Sequence, residues 1–237
     1  MHVLVYLILC NLAIILNIET ATKNCSVSLS EDGNILALAE LNEGQFSHAE
    51  KLHAFILDVL KQSEKTMQNI DAVAVSKGPG SYTGLRIGVS AAKGLCFALD
   101  KPLISVSTLA SLAMAINVNE QAYIIPLLDA RRMEVYYSVF DEQYREIKKT
   151  RAEIIDEHSF AEFLDQRKVY FLGDGALKCK EVIQHKNAVF LDNYYPSAKE
   201  MIKISTEKFS NKAFEDVAYF EPFYLKDFVA GKPKKLF

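Results

Sequence analysis

The residues with the greatest chemical potential lie in one glycine-rich stretch, SKGPGSYTGLRIGVSAAKGL, from Ser76 to Leu95. Four of the chain's 10 glycines fall within residues 78–88, directly before a helix-like segment. A P-loop requires a lysine and a hydroxyl after its last glycine, but Leu85 follows Gly84 and Val89 follows Gly88. The dinucleotide pattern G-x-G-x-x-G also fails, because three residues separate Gly80 from Gly84. Neither standard nucleotide loop is therefore present.

Two interpretations of this stretch remain open. Ser81 and Thr83 can cap a helix N-terminus, and free N–H groups at such a terminus attract anions. Alternatively, the loop is a tight turn before a helix whose small residues leave a shallow face for a second helix. Those small residues are Gly84, Gly88, Ala91, Ala92 and, less regularly, Gly94. The residues favour close packing over an anion site.

Charged residues at two predicted turns are further candidates. Glu19 and Thr20 end the first predicted strand, where a carboxylate either handles a metal through water or simply forms the turn. Asp129, Arg131 and Arg132 form the matching turn in the second half and predict either a surface ion pair or a partner contact.

Metal binding and nucleophilic catalysis are not supported by the spacing. His48 and His53 are five positions apart, which places them roughly 140° apart on a helix and prevents a shared site. Ser81 does not sit in a G-x-S-x-G elbow, because Pro79 occupies the first glycine position. The sequence predicts no metal site and no catalytic residue.

Composition indicates an ordinary globular protein. The chain has 237 residues, 50% of them hydrophobic, and a net charge of −3, which gives no sign of a nucleic-acid-binding surface. The 4 cysteines are far apart, which favours a reducing, cytoplasmic compartment. Residues 1–13 are apolar but too short to span a bilayer. They are a weak signal anchor, an extra strand or, as we favour, upstream sequence included by an early assigned start.

The hydrophobic pattern predicts the same order of elements in each half from Ile14 onward. Three strands are followed by helix, strand, helix and strand, which indicates a duplicated α/β fold with a cleft between the halves. The predicted helices cover residues 47–63, 83–99, 158–165 and 197–209, with one further helix after residue 175.

Several segments together resemble the TsaB (YeaZ) family. They are NIETATKNCSVSL, SHAEKLHAFI, the glycine-rich stretch continued to STLASLA, PLLDARRMEVYYSVF and PFYLKDFVA, in order from about Ile14 to Ala230. The resemblance implies a duplicated actin-like, Hsp70-like ATPase (ribonuclease H-like) fold. It implies lobes at 14–106 and 107–215 and a C-terminal segment at 216–237 with a basic tail.

The resemblance also implies a function. Such proteins are non-catalytic subunits needed for threonylcarbamoyladenosine in tRNA, and they bind and activate the transferase TsaD together with TsaE. A homodimer is expected without TsaD, tRNA is contacted through the complex, and no membrane is involved. ATP, magnesium and the transferase metal would belong to the partners. An ATP-dependent kinase or a peptidase of the same fold is the alternative.

Residue roles follow from the same resemblance. The helix after GPGSYTGLR would pack against its counterpart in a homodimer or in TsaD. That interface would contain Gly80, Ser81, Tyr82, Thr83, Gly84, Arg86, Gly88, Val89, Ala92 and Lys93. Glu19 and Thr20 would be a vestigial nucleotide site, and Glu19 stands where the family usually has an aspartate. Whether the basic tail touches tRNA stays open.

Overall fold

A computed structural model of the chain describes residues 13–42 and 48–226. These residues form two five-stranded sheets with helices packed on them. The strands are β1 (Ile14–Glu19), β2 (Cys25–Glu31), β3 (Asn34–Leu41), β4 (Ala72–Gly78), β5 (Leu103–Ser107), β6 (Ala122–Asp129), β7 (Glu134–Asp141), β8 (Glu146–Ile154), β9 (Lys168–Leu172) and β10 (Ala188–Leu191). The α-helices are α1 (His48–Gln62), α2 (Tyr82–Leu99), α3 (Thr108–Ala113), α4 (Ala161–Leu164), α5 (Ala176–Lys180) and α6 (Ile202–Ser210).

The two sheets have the same topology. The first lobe has strand order β3-β2-β1-β4-β5, and the second has β10-β9-β6-β7-β8, which is the same order read from the other edge. In each lobe the first strand pairs antiparallel with the second and parallel with the fourth. Short hairpins join the antiparallel strands, and helices connect the parallel ones. The predicted duplicated α/β fold is confirmed.

Strand β1 is buried along its whole length because its sheet is covered on both faces. Leu16 and Ile18 face a core shared with α1 and α2, whereas Ile15 faces a second core. Asn17, which points to the same face of the sheet as Ile15, is also buried, and its Oδ1 accepts a 2.6 Å hydrogen bond from the Ser205 hydroxyl of α6. A buried amide therefore has a partner and costs little.

Helix α6, the last helix within residues 48–226, returns to the first lobe. Helix α6 packs on β1 and β5, although it follows the strands of the second lobe. The 3-10 segment Ala198–Met201, directly before α6, also packs on the first lobe, where the Ser26 hydroxyl accepts a 2.8 Å hydrogen bond from the Ala198 amide. Division of the chain at 106 and 215 remains a prediction, and this crossing couples the two lobes.

The structure differs from the predicted elements in three places. The hydrophobic pattern did not predict helix α3. The predicted helix at 158–165 is reduced to Ala161–Leu164, because Phe160 has a φ of 65° that ends the preceding turn and buries its ring beside Tyr137. The predicted helix at 197–209 begins as a 3-10 turn. Residues 1–12 of the predicted extension and the basic tail lie outside the described residues.

Candidate partner interface

The glycine loop lies against the turn that follows β1. The Ser81 amide donates a 2.6 Å hydrogen bond to the Ala21 carbonyl oxygen, and the Ser81 hydroxyl accepts one of 3.2 Å from the Gly84 amide. A Cβ added at Gly80 would overlap that same Ala21 carbonyl. Gly80 is therefore needed because two backbone segments meet there.

The small residues of α2 also contact the chain itself. The Thr20 hydroxyl donates a 2.8 Å hydrogen bond to the Gly84 carbonyl, and a Cβ at Gly88 would overlap that hydroxyl oxygen. Gly84, Gly88 and Ala92 are buried. The expectation that these three form an open, shallow face is wrong, because Thr20 and the first core already occupy it. Val89 is buried beside them.

The opposite side of α2 is exposed. Five of its exposed positions recur at helical spacing, and we call them the outer face: Thr83, Arg86, Ser90, Gly94 and Phe97. Phe97 is 86% exposed, and a Cβ at Gly94 would meet nothing within 4 Å. On the neighbouring helix α1, which contacts α2, Leu57 is 61% exposed. Exposed large apolar side chains are common at interaction sites.

Arg86 and Lys93 have partners within the chain. The Arg86 guanidinium lies 4.7 Å from the centroid of the Tyr82 ring, and Tyr82 in turn contacts the Tyr224 ring at 5.0 Å. The Lys93 Nζ donates to the carbonyl oxygens of Ala218 and Phe220, at 3.0 and 3.1 Å. Arg86 remains exposed, whereas Lys93 is partly buried.

Glu19 is fully buried at the end of β1. Its Oε1 accepts a 2.6 Å hydrogen bond from the Ala21 amide, and its Oε2 has no hydrogen-bond partner among the described residues. Burial raises the pKa of Glu19 to about 7, although the Ala21 amide opposes part of the rise. The Glu19 carboxyl group is therefore bonded within the turn that follows β1, beside Thr20, whose hydroxyl is bonded to α2.

The equivalent turn of the second lobe is built from exposed charges. Asp129 forms an ion pair with Lys178, and its Oδ1 accepts a 2.9 Å bond from the Arg131 amide. Lys178 also donates to the carbonyl of Arg132 at 2.8 Å. Asp129 therefore does form a surface ion pair, but with Lys178 and not with the predicted Arg131 or Arg132. The Asp129 amide also donates a 2.9 Å hydrogen bond to Asp174 Oδ1, which holds this turn against the loop before α5.

Neither a metal cluster nor a membrane span is found in the described part of the chain. Residues 13–42 and 48–226 contain no group of three or more His, Cys, Asp or Glu side chains arranged to hold a metal. Of the helices in these ranges, none is both long enough and apolar enough to cross a bilayer.

Four features of the interface escaped the sequence analysis. Phe97 and Leu57 were not among the predicted interface residues, although a helical projection centred on the buried Gly88 would have placed Phe97 on the opposite side. The roles of Tyr224 and of Lys93 as partners within the chain depend on contacts between residues more than 120 positions apart. No local pattern carries that information.

The fold and its topology define a duplicated actin-like protein of the ribonuclease H-like class. A solved structure of YeaZ from Pseudomonas aeruginosa superposes with a TM-score of 0.77 at 25% identity, over 90% of this chain and 100% of that one. A relative in Escherichia coli, tRNA threonylcarbamoyladenosine biosynthesis protein TsaB, is 32% identical over 92% of this chain and 96% of its own length. The chain belongs to the TsaB family.

Similarity extends to the transferases related to this family. A family model described as TsaD, tRNA N6-adenosine threonylcarbamoyltransferase, matches residues 43–234. The tRNA N6-adenosine threonylcarbamoyltransferase of Staphylococcus saprophyticus is 37% identical over 130 residues, which cover 48% of this chain and 38% of that protein. The TsaB protein of Haemophilus influenzae is 29% identical over 92% of this chain.

Proposed function

We propose that this chain is a non-catalytic subunit for threonylcarbamoyladenosine formation in tRNA and that it binds a TsaD-family transferase through the outer face of α2. TsaE is a further partner, and a second copy of the chain takes the transferase's place when TsaD is absent. The transferase carries the metal, and ATP and magnesium belong to the partners. The complex contacts tRNA and acts in the cytoplasm.

Relatives support the pathway. The Escherichia coli and Haemophilus influenzae relatives, which cover 92% of this chain, are both named for threonylcarbamoyladenosine biosynthesis. The partial similarity to transferases supports a pairing of like with like, since two chains of one fold can reproduce the geometry of a symmetric dimer.

The exposed Phe97 is the observation that carries the docking site. It projects from an 18-residue helix whose opposite side is fixed by Thr20 and the first core. A rigid helix that presents an aromatic side chain to solvent loses little conformational entropy when a partner covers it. Exposed aromatic side chains of this kind are common binding hot spots.

Glu19 supports an accessory rather than a catalytic role. A nucleotide-handling carboxylate must reach a metal or its water ligands, but this one is fully buried and bonded to the amide of Ala21. Ionisation at this position is also opposed, because burial raises its pKa to about 7.

A charge on the outer face tests the docking site. Phe97→Asp should weaken binding to a TsaD-family transferase by at least about 30-fold, because it places a charge where an aromatic anchor is required. Leu177→Asp is the matched control, since Leu177 is 62% exposed on α5 of the second lobe. Calorimetry with the purified transferase measures both. Equal binding by wild type and Phe97→Asp would overturn the site.

The cellular role needs a separate measurement. Mass analysis of tRNA nucleosides after depletion of the chain should show loss of threonylcarbamoyladenosine, restored by wild type and Leu177→Asp but not by Phe97→Asp. Unchanged modification in depleted cells would reject the pathway. Turnover of ATP with a small substrate, or peptide cleavage, by the isolated chain would instead favour a kinase or a peptidase.

A further inference from the structure

The C-terminal segment 215–226 follows the surface of the first lobe as an irregular strap. At its start, the Glu215 amide donates a 2.9 Å hydrogen bond to the Leu103 carbonyl, and Ser105 donates one of 2.5 Å to the Glu215 carboxylate. Near its end, the Phe223 amide donates one of 2.7 Å to the Lys77 carbonyl. The strap therefore connects the edge strand β5 with the end of β4, where α2 is about to begin.

Lys93 holds the middle of this strap. Its ammonium group donates to two carbonyl oxygens of the strap, those of Ala218 and Phe220. The side chains of Val217 and Phe220 pack against the first core in the same part of the strap. Hydrogen bonds from a charged donor are among the stronger ones in proteins, and here one side chain satisfies two backbone acceptors.

The first glycine of the glycine-rich stretch is also explained by the strap. Gly78 has a φ of 107°, and a Cβ there would lie 2.9 Å from the Phe223 carbonyl oxygen. Other side chains would be strained at this φ and would push the strap away. A glycine that the sequence associates with a phosphate loop thus permits the C-terminal segment to approach.

The end of the strap reaches the outer face of α2. The Tyr224 ring contacts the Tyr82 ring, with centroids 5.0 Å apart, and the Arg86 guanidinium lies 4.7 Å from the centroid of the same Tyr82 ring. Beyond this point, Lys226 forms an ion pair with Glu134 of the second lobe. Arg86 is therefore the outer-face residue whose orientation depends on the strap.

We propose that Lys93 and the strap form a clamp that fixes α2 between Tyr82 and Lys93 and orients Arg86, so that Lys93 is a positioning residue and not a partner contact. The clamp itself requires only this chain. Its effect on partner binding rests on the proposed function, because Arg86 lies on the face assigned to the transferase.

Hydrogen exchange of the free, full-length protein tests the clamp without any partner. Lys93→Met keeps much of the side-chain length but removes the donor, so exchange at the Phe220 and Phe223 amides should become at least about tenfold faster. Lys93→Arg keeps a charged donor and should restore slow exchange. Lys180→Met, on α5 of the second lobe, is the matched control. Exchange within about twofold of wild type in Lys93→Met would overturn the clamp.

Binding to a purified TsaD-family transferase tests the orientation of Arg86. Lys93→Met and Tyr224→Ala should each weaken binding by about five- to tenfold, because Arg86 and the Tyr82 ring beneath it lose their support, and Lys93→Arg should recover the binding lost in Lys93→Met. Faster strap exchange with unchanged binding would reject the orienting role. Weaker binding with unchanged exchange in the free protein would make Lys93 a direct contact. Failure of wild type to bind would reject the proposed function and leave the exchange result to decide on the clamp.

Discussion

The two lobes share one topology, but they use the connection after the fourth strand differently. In the first lobe that connection is α2, with 18 residues, whose buried side fits around Thr20. In the second lobe it is α5, with 5 residues from Ala176 to Lys180. The turns that face these helices differ as well, since Glu19 is buried and Asp129 is exposed. The longer helix has a close, buried contact with its turn, whereas the short helix has an ion pair at the surface.

The contact between α2 and Thr20 gives the largest expected effect. Gly88→Val should destabilise the protein by about 3 kcal/mol, because the new side chain must displace the Thr20 hydroxyl from a packed core. Urea unfolding followed by circular dichroism measures the loss. A variant as stable as wild type would show that α2 does not depend on this contact.

The buried carboxyl of the first lobe predicts a pH dependence of similar size. The folded state binds this proton more tightly than the unfolded state, since the pKa of Glu19 rises from 4.5 to about 7. Its contribution to stability is therefore complete below pH 4.5 and is lost as the pH rises to about 7, by up to about 3 kcal/mol.

Glu19→Gln isolates that dependence. The amide does not titrate, so the difference in unfolding free energy between wild type and variant should change in favour of the variant from pH 4.5 to pH 7. Urea unfolding at several pH values gives the two curves. Parallel curves over this range would mean that Glu19 ionises normally in the folded protein.

The surface turn of the second lobe should respond less. Lys178→Met removes the ion pair with Asp129 and the bonds to the carbonyls of Arg132 and Glu134. We expect a loss of about 1 kcal/mol, because exposed ion pairs contribute little and only the carbonyl contacts add to it. A loss as large as that of Gly88→Val would remove the distinction between the two turns.

The elements that depend on local pattern could be predicted from the sequence. The strands β1 to β10 and the long helices α1 and α2 follow from alternation and helical periodicity, and α2 begins within one residue of its predicted start. Helix α3 was missed because its 6 residues follow β5 directly and its apolar character merges with that of the strand. Short helices inside apolar runs carry no distinct period.

The sequence could not predict what the small residues of α2 pack against. Gly84, Gly88 and Ala92 share one side of the helix in the sequence, but whether that side meets a partner or this chain depends on the position of Thr20, more than 60 residues away. The same applies to Lys93, whose acceptors lie at the other end of the chain. Close packing does explain the small residues of α2, and the structure adds that they pack against Thr20 of this chain.

A substitution at Gly94, on the outer face of α2, should change the stability of the protein least. A Cβ at this position meets nothing within 4 Å, so Gly94→Ala should stabilise the protein by about 0.5–1 kcal/mol through helix propensity alone. The same methyl group lies on the outer face, where a closely packed partner helix would have to move to accommodate it. Thermal unfolding and binding to the transferase should therefore change in opposite directions. If stability and affinity both rise, the partner does not pack against Gly94, and the docking site is confined to other residues of the outer face, such as Arg86 and Phe97.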